Sequence, residues 1–183
     1  MKTGLILKKV GIVLVIVALA TIFIFYKSNE TRGREAYKNF QYSQAAQYLT
    51  KAVDQTSNKQ KKIELYDMLA KSEMGYAMIM GNTRYPSLQA IDAYEKEWDL
   101  DNTNQKVLEN IVDLRMRADA TSSGTGETAI SDFMDKTDKY LQIGLQKFPD
   151  SDVFISYDRQ KKAAAEGMKK IFDTMMKEGK GGN

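Results

Sequence analysis

The chain has no cysteine and no histidine, and only two prolines, Pro86 and Pro149, among its 183 residues. Without cysteine there is no disulfide, no thiolate nucleophile and no zinc–thiolate site. Without histidine the commonest general base near neutral pH and the commonest metal-binding side chain are both gone. Carboxylate or lysine chemistry stays open, but the expectation is a protein that is not an enzyme and has neither metal nor cofactor. Scarce proline also bears on the fold. With abundant Ala, Lys, Gln, Glu, Leu and Met, and few β-branched residues after position 30, it predicts an all-α chain.

An excess of one charge is missing too, although the net charge of +3 suggests otherwise. Lys2, Lys8, Lys9 and Lys27 lie in or beside one apolar run, and setting these four aside leaves 23 basic against 24 acidic residues, a net of −1. A basic surface for nucleic acid is therefore not expected.

The apolar run is "KKVGIVLVIVALATIFIFYK", Lys8 to Lys27. Its 17 uncharged residues, Val10 to Tyr26, would span roughly 25 Å as a helix. Lys8, Lys9 and Lys27 can flank such a span, and Phe23, Phe25 and Tyr26 suit an interface. Ala18-Leu19-Ala20 has the small-x-small form of a cleavage site, but six further apolar residues follow it, which favours a retained anchor. The expectation is a basic tail (1–9), a transmembrane signal-anchor (10–26), a linker (27–32), a helical domain (33–178) and a flexible tail (179–183). Charges on the two flanks nearly balance. A lysine-bearing tail kept inside would make this a single-pass membrane protein with its domain outside the cytoplasm.

The remainder shows helical periodicity. "GREAYKNFQYSQAAQYLTKAVDQTSN", from Gly33, divides into two helices around a polar turn at Asn39-Phe40-Gln41. Gly33, Tyr42, Ala45, Leu49 and Ala52 stand at spacings that resemble a tetratricopeptide repeat. Ala90 and Tyr94 in "LQAIDAYEKEWDLDN", and Leu141, Gly144 and Pro149 in "DKYLQIGLQKFPDSD", resemble the second helix of further units. The resemblance implies a solenoid of antiparallel helical hairpins closed by a capping helix from about Asp150 to Glu178. The ends of the three units are 45 and 47 residues apart, against about 34 in that family. Longer first helices, such as 59–81 and 104–120, fit this difference, and a generic helical bundle is the plainer alternative.

The resemblance also implies a groove lined by the first helix of each unit. Carried onto this chain it would include Arg34, Tyr37, Lys38, Tyr76, Ile79 and Asn82. The implied function is a non-catalytic, membrane-anchored scaffold or assembly subunit of a membrane or cell-envelope complex, with other proteins and lipid as partners. The other reading is a structural subunit repeated in a homo-oligomer.

Overt chemistry is sparse. "SSGTGET" lacks the Lys-Ser/Thr of a phosphate loop and reads as a linker. "DLDNTNQKVLEN" lacks the glycine and terminal glutamate of a calcium loop; Asp101, Asn102 and Thr103 instead suit a turn and helix cap. The pairs Asp135 with Asp138 and Glu95 with Asp99 read as solvated helix faces.

Overall fold

The computed structural model describes residues 27–81, 88–119 and 127–179. Among these, every regular element is a helix: α1 (Asn29–Lys38), α2 (Tyr42–Gln55), α3 (Lys59–Ile79), α4 (Leu88–Leu100), α5 (Gln105–Asp119), α6 (Glu127–Lys147) and α7 (Asp152–Gly179).

The membrane-spanning expectation is corrected here. Among the described residues no helix is long and apolar enough to cross a membrane. Length is not the obstacle, since α3 and α6 each have 21 residues and α7 has 28. Charge is: every one of them carries lysines and carboxylates throughout, each costly in hydrocarbon. Among the described residues the fold is thus all-helical without a spanning helix, and the single-pass, extracytoplasmic assignment is not supported. The run 10–26, with Lys8 and Lys9, lies outside the described residues.

Local chemistry sets the helix ends. α1 starts at Asn29, inside the stretch expected to be a linker, because the Ser28 hydroxyl accepts from the Thr31 N–H at 3.2 Å. Lys27 is paired with Glu35 at 2.8 Å. α1 stops in a Schellman turn. The Gln41 N–H donates to the Ala36 carbonyl (2.9 Å) and the Phe40 N–H to that of Tyr37 (3.0 Å). Phe40 sits at the left-handed position with φ 58°, where glycine is usual. Asn58 caps α3 by accepting from the Lys61 N–H at 3.0 Å. Before α5 the work is divided: Asp101 holds the turn by accepting from Thr103 N–H (3.1 Å), while Asn104 caps the helix by accepting from Lys106 and Val107 N–H groups. Pro149 lies in the turn between α6 and α7.

Each helix packs on the next along the chain, and short connections fold consecutive helices back on one another. α1 also touches α3, and α5 touches α7. α1, α3, α5 and α7 begin at Asn29, Lys59, Gln105 and Asp152, intervals of 30, 46 and 47 residues. Two cores result. The first joins Ala36, Ala45, Leu49, Ala52, Val53 and Leu65. The second is larger and centres on Tyr94, Trp98, Leu108, Ile111, Leu141 and Phe154. Tyr66 and Leu69 of α3 pack against both.

Small residues allow the close contacts. A Cβ on Gly33 would meet Leu49 Cγ at 2.8 Å, and one on Gly144 would meet the Phe154 ring at 2.7 Å. Gly75 of α3 is likewise pressed against the Tyr42 ring. Leu49, Leu65, Leu108 and Phe154 are fully buried, each contributing about 1.5–3 kcal/mol of apolar transfer free energy. Ala90, Tyr94 and Leu141 are buried in the second core.

Candidate partner-binding groove

α3 and α5 are separated in sequence by α4 and have no Cα pair within 8 Å. The gap between them is an open cavity of about 430 Å³. Ile63, Glu64, Asp67 and Lys71 of α3 line one wall. Lys106, Val107 and Asn110 of α5 line the other, with Asn104 at its cap. Glu97 of α4 also lines it.

The position of Glu97 follows from its helix. Ala90, Ala93, Tyr94 and Trp98 form the buried stripe of α4, and Glu97 occupies the intervening place on that same face. It is 3% exposed, and its Oε2 has no hydrogen-bond partner. Burial raises its pKa to about 7; Asp67 and Asp101 push the same way and Lys71 opposes them. Tyr94, on the preceding turn, has its hydroxyl pKa raised by burial and by Asp67 and Glu97.

Other charges along the groove are answered by neighbours. Asp67 pairs with Lys71 at 2.7 Å, and Glu64 with Arg34 at 3.2 Å. Arg34 also reaches Glu30, whose carboxyl is held below its usual range by Lys61 despite partial burial and with help from Arg34 itself. Lys106 pairs with Glu109 at 3.5 Å.

The six residues expected in a groove are dispersed. Arg34 reaches the groove's rim through Glu64. Tyr37 packs on the first core and meets the Tyr42 ring edge-on, with centroids 5.8 Å apart. Lys38 is exposed at the end of α1. Tyr76 and Ile79 are exposed on the last turns of α3, beyond Lys71 and outside the groove lining. Asn82 lies outside the described residues, as does most of the "SSGTGET" loop.

Sequence reasoning missed Glu97, although the spacing Ala90, Ala93, Tyr94, Glu97, Trp98 carried the signal. It also missed Arg115, 4% exposed, which holds Glu95 through Nε at 2.7 Å and donates from Nη1 to the Phe133 carbonyl at 3.3 Å. Its guanidinium lies 4.5 Å from the Phe133 ring centroid and 5.6 Å from that of Tyr140. Glu95 is therefore an inter-helix ion-pair partner rather than part of a solvated face. Asp135 is exposed, and Asp138 is paired with Lys161 of α7. Ser151, buried before α7, donates to Glu109 of α5 at 2.8 Å. The Tyr157 hydroxyl donates to Asp113, which fastens α7 to α5.

Beyond Lys161 most described residues of α7 are exposed. Met168, Ile171, Phe172 and Met175 form a stripe at helical spacing, each 63–67% exposed.

Comparison with known protein families and with characterised proteins finds no match for this chain. The class that the described residues define is an all-helical domain in which each helix packs on the next, an arrangement compatible with a helical repeat.

Proposed function

We infer that the chain is a non-catalytic protein-interaction module, a scaffold or assembly subunit that receives a partner polypeptide in the groove between α3 and α5. The observation that carries this reading is the groove itself: an open concavity of about 430 Å³ between two helices, with a buried carboxylate on its floor. Interaction sites are concave and combine apolar walls with a few placed polar groups, as Ile63, Val107, Asn110 and Glu97 do here. The tetratricopeptide-like spacing from Gly33 to Ala52 supports the same class of function, since stacked hairpins serve chiefly as binding surfaces. The absence of histidine and cysteine favours binding over catalysis.

The test is crosslinking with a photoreactive residue at position 106 or 110 in cells, followed by identification of the adducts. A discrete set of adducts that is absent when the photoreactive residue is placed on the exposed α6 position 142 supports the reading. Adducts that are the same from both positions sink it.

The exposed stripe on α7 favours a second reading, a subunit repeated in a homo-oligomer. Analytical ultracentrifugation separates the two. A concentration-dependent oligomer abolished by Ile171→Gln/Phe172→Gln supports self-assembly, and a monomer at all concentrations removes it.

A further inference from the structure

We propose that Glu97 is the anchor of the α3–α5 groove for a lysine or arginine side chain presented by the partner polypeptide. This rests on the interaction reading above and names the chemistry its groove selects.

Glu97 is 3% exposed, yet its Oε2 has no donor. A buried oxygen in that state is costly, more so when charged, so native proteins rarely keep one without a use. The residue also lines an open cavity rather than a sealed core, so a donor from outside can reach it.

The charges around it decide which donor. From α3, Asp67 and Lys71 face it and hold each other at 2.7 Å. From α4, Asp101 at the helix end adds negative potential, and Tyr94 lies one turn back. From α5, the groove receives Asn110 and Lys106, the latter drawn to Glu109. The nearby pairs cancel, and Glu97 keeps an unanswered charge. A cation answers both the missing hydrogen bond and the charge, whereas a neutral hydroxyl supplies only the former. A long basic side chain fits the walls too. Its methylene stem can lie along Ile63 and Val107 while the head reaches the floor. An acidic peptide terminus is repelled by the same arrangement.

The raised pKa of Glu97 adds a signature. Above about pH 7 the carboxylate is charged and attracts the cation; below it the proton occupies the site and the attraction is lost.

The test is a display library of random 12-residue peptides selected at pH 8 against the full 183-residue chain, and in parallel against Glu97→Gln. The expected result is enrichment of Lys or Arg at one fixed position with wild type and none with Glu97→Gln. The enriched peptide should bind wild type at least tenfold more weakly when that one residue is replaced by norleucine, a comparison that needs no variant protein. Moving from pH 8 to pH 5.5 should weaken binding similarly. Binders without a fixed basic residue, or binders equally tight to Glu97→Gln, overturn the anchor and leave the interaction reading standing. No enrichment against either protein overturns both.

Discussion

The ring of Phe154 lies where a side chain on Gly144 would have to go, with ring carbons 2.7 Å from the place of its Cβ. Phe154 is fully buried and stacks on Phe148 at 6.3 Å between centroids, so it has no room to withdraw. Gly144→Ala should destabilise the domain by about 1–3 kcal/mol, since overpacking outweighs the roughly 1 kcal/mol gained in helix propensity. A Cβ on Gly167, farther along α7, would meet nothing within 4 Å. There the same substitution should help, slowing amide exchange across 163–171 by up to about fivefold, as expected from about 1 kcal/mol. Urea denaturation and hydrogen exchange read the opposite signs.

Arg115 depends on Glu95. Removing the carboxylate with Glu95→Ala leaves a guanidinium buried beneath Phe133 and Tyr140 and should cost about 3–5 kcal/mol. The double substitution Glu95→Leu/Arg115→Met should cost less than Glu95→Ala alone, because no charge is left without its partner. Chemical denaturation of the three proteins checks the order.

Glu97 should make stability fall as pH rises. Its folded pKa of about 7 lies above the ordinary 4.5, so between those values the folded state holds the proton more tightly than the unfolded one. The stabilising proton is fully in place below about pH 4 and is lost through pH 7. Glu97→Gln removes this dependence. Its advantage over wild type should grow from near zero at pH 4 to roughly 3 kcal/mol at pH 8, on the scale of 1.36 kcal/mol per pKa unit. Thermal melts of both proteins across that range measure the difference.

Phe40 holds a backbone conformation that suits glycine, with φ 58° and the side chain 71% exposed. Phe40→Gly should keep the Schellman turn and stabilise by about 1 kcal/mol, the cost of the left-handed region for an ordinary side chain. Among the described residues, the aromatic contact given up is the edge contact with Tyr42 at 6.1 Å. A lower urea midpoint in the variant would show that this contact outweighs the strain.

Along α7, Ile171→Gln and Phe172→Gln should change stability by less than about 0.5 kcal/mol, since both side chains are exposed. A loss of several kcal/mol would mean that the stripe is covered within the folded chain. A melt at low protein concentration distinguishes the two.

Much of the fold was legible because helices announce themselves locally. The turn at Asn39–Gln41, the long helix from Lys59 and the break at Phe148–Asp150 are all marked by residue type and spacing. The close approaches at Gly33 and Gly144 were legible as small residues in a packing pattern. The site was not. Glu97 and Arg115 occupy buried stripes, where a reading by residue type passes over charged side chains, and their surroundings come from other helices. That α3 and α5 stand apart is a tertiary fact with no mark in either helix. The expected groove residues went astray for a related reason: Tyr76 and Ile79 lie on the last turns of α3, whereas the groove is lined by Ile63, Glu64, Asp67 and Lys71 earlier in the helix.

Tyr66 and Leu69 belong to both cores, which makes α3 a party wall. The same helix forms one side of the groove. A guest that entered the proposed site and wedged α3 away from α5 would lean on the packing of Leu49 and Val53 next door, and loosening that first core would change the aperture offered to it. The two events would then share one free-energy coupling, felt equally in both directions. For a peptide bound as proposed, a substitution in α2, far from any contact with it, would then tune how tightly it is held.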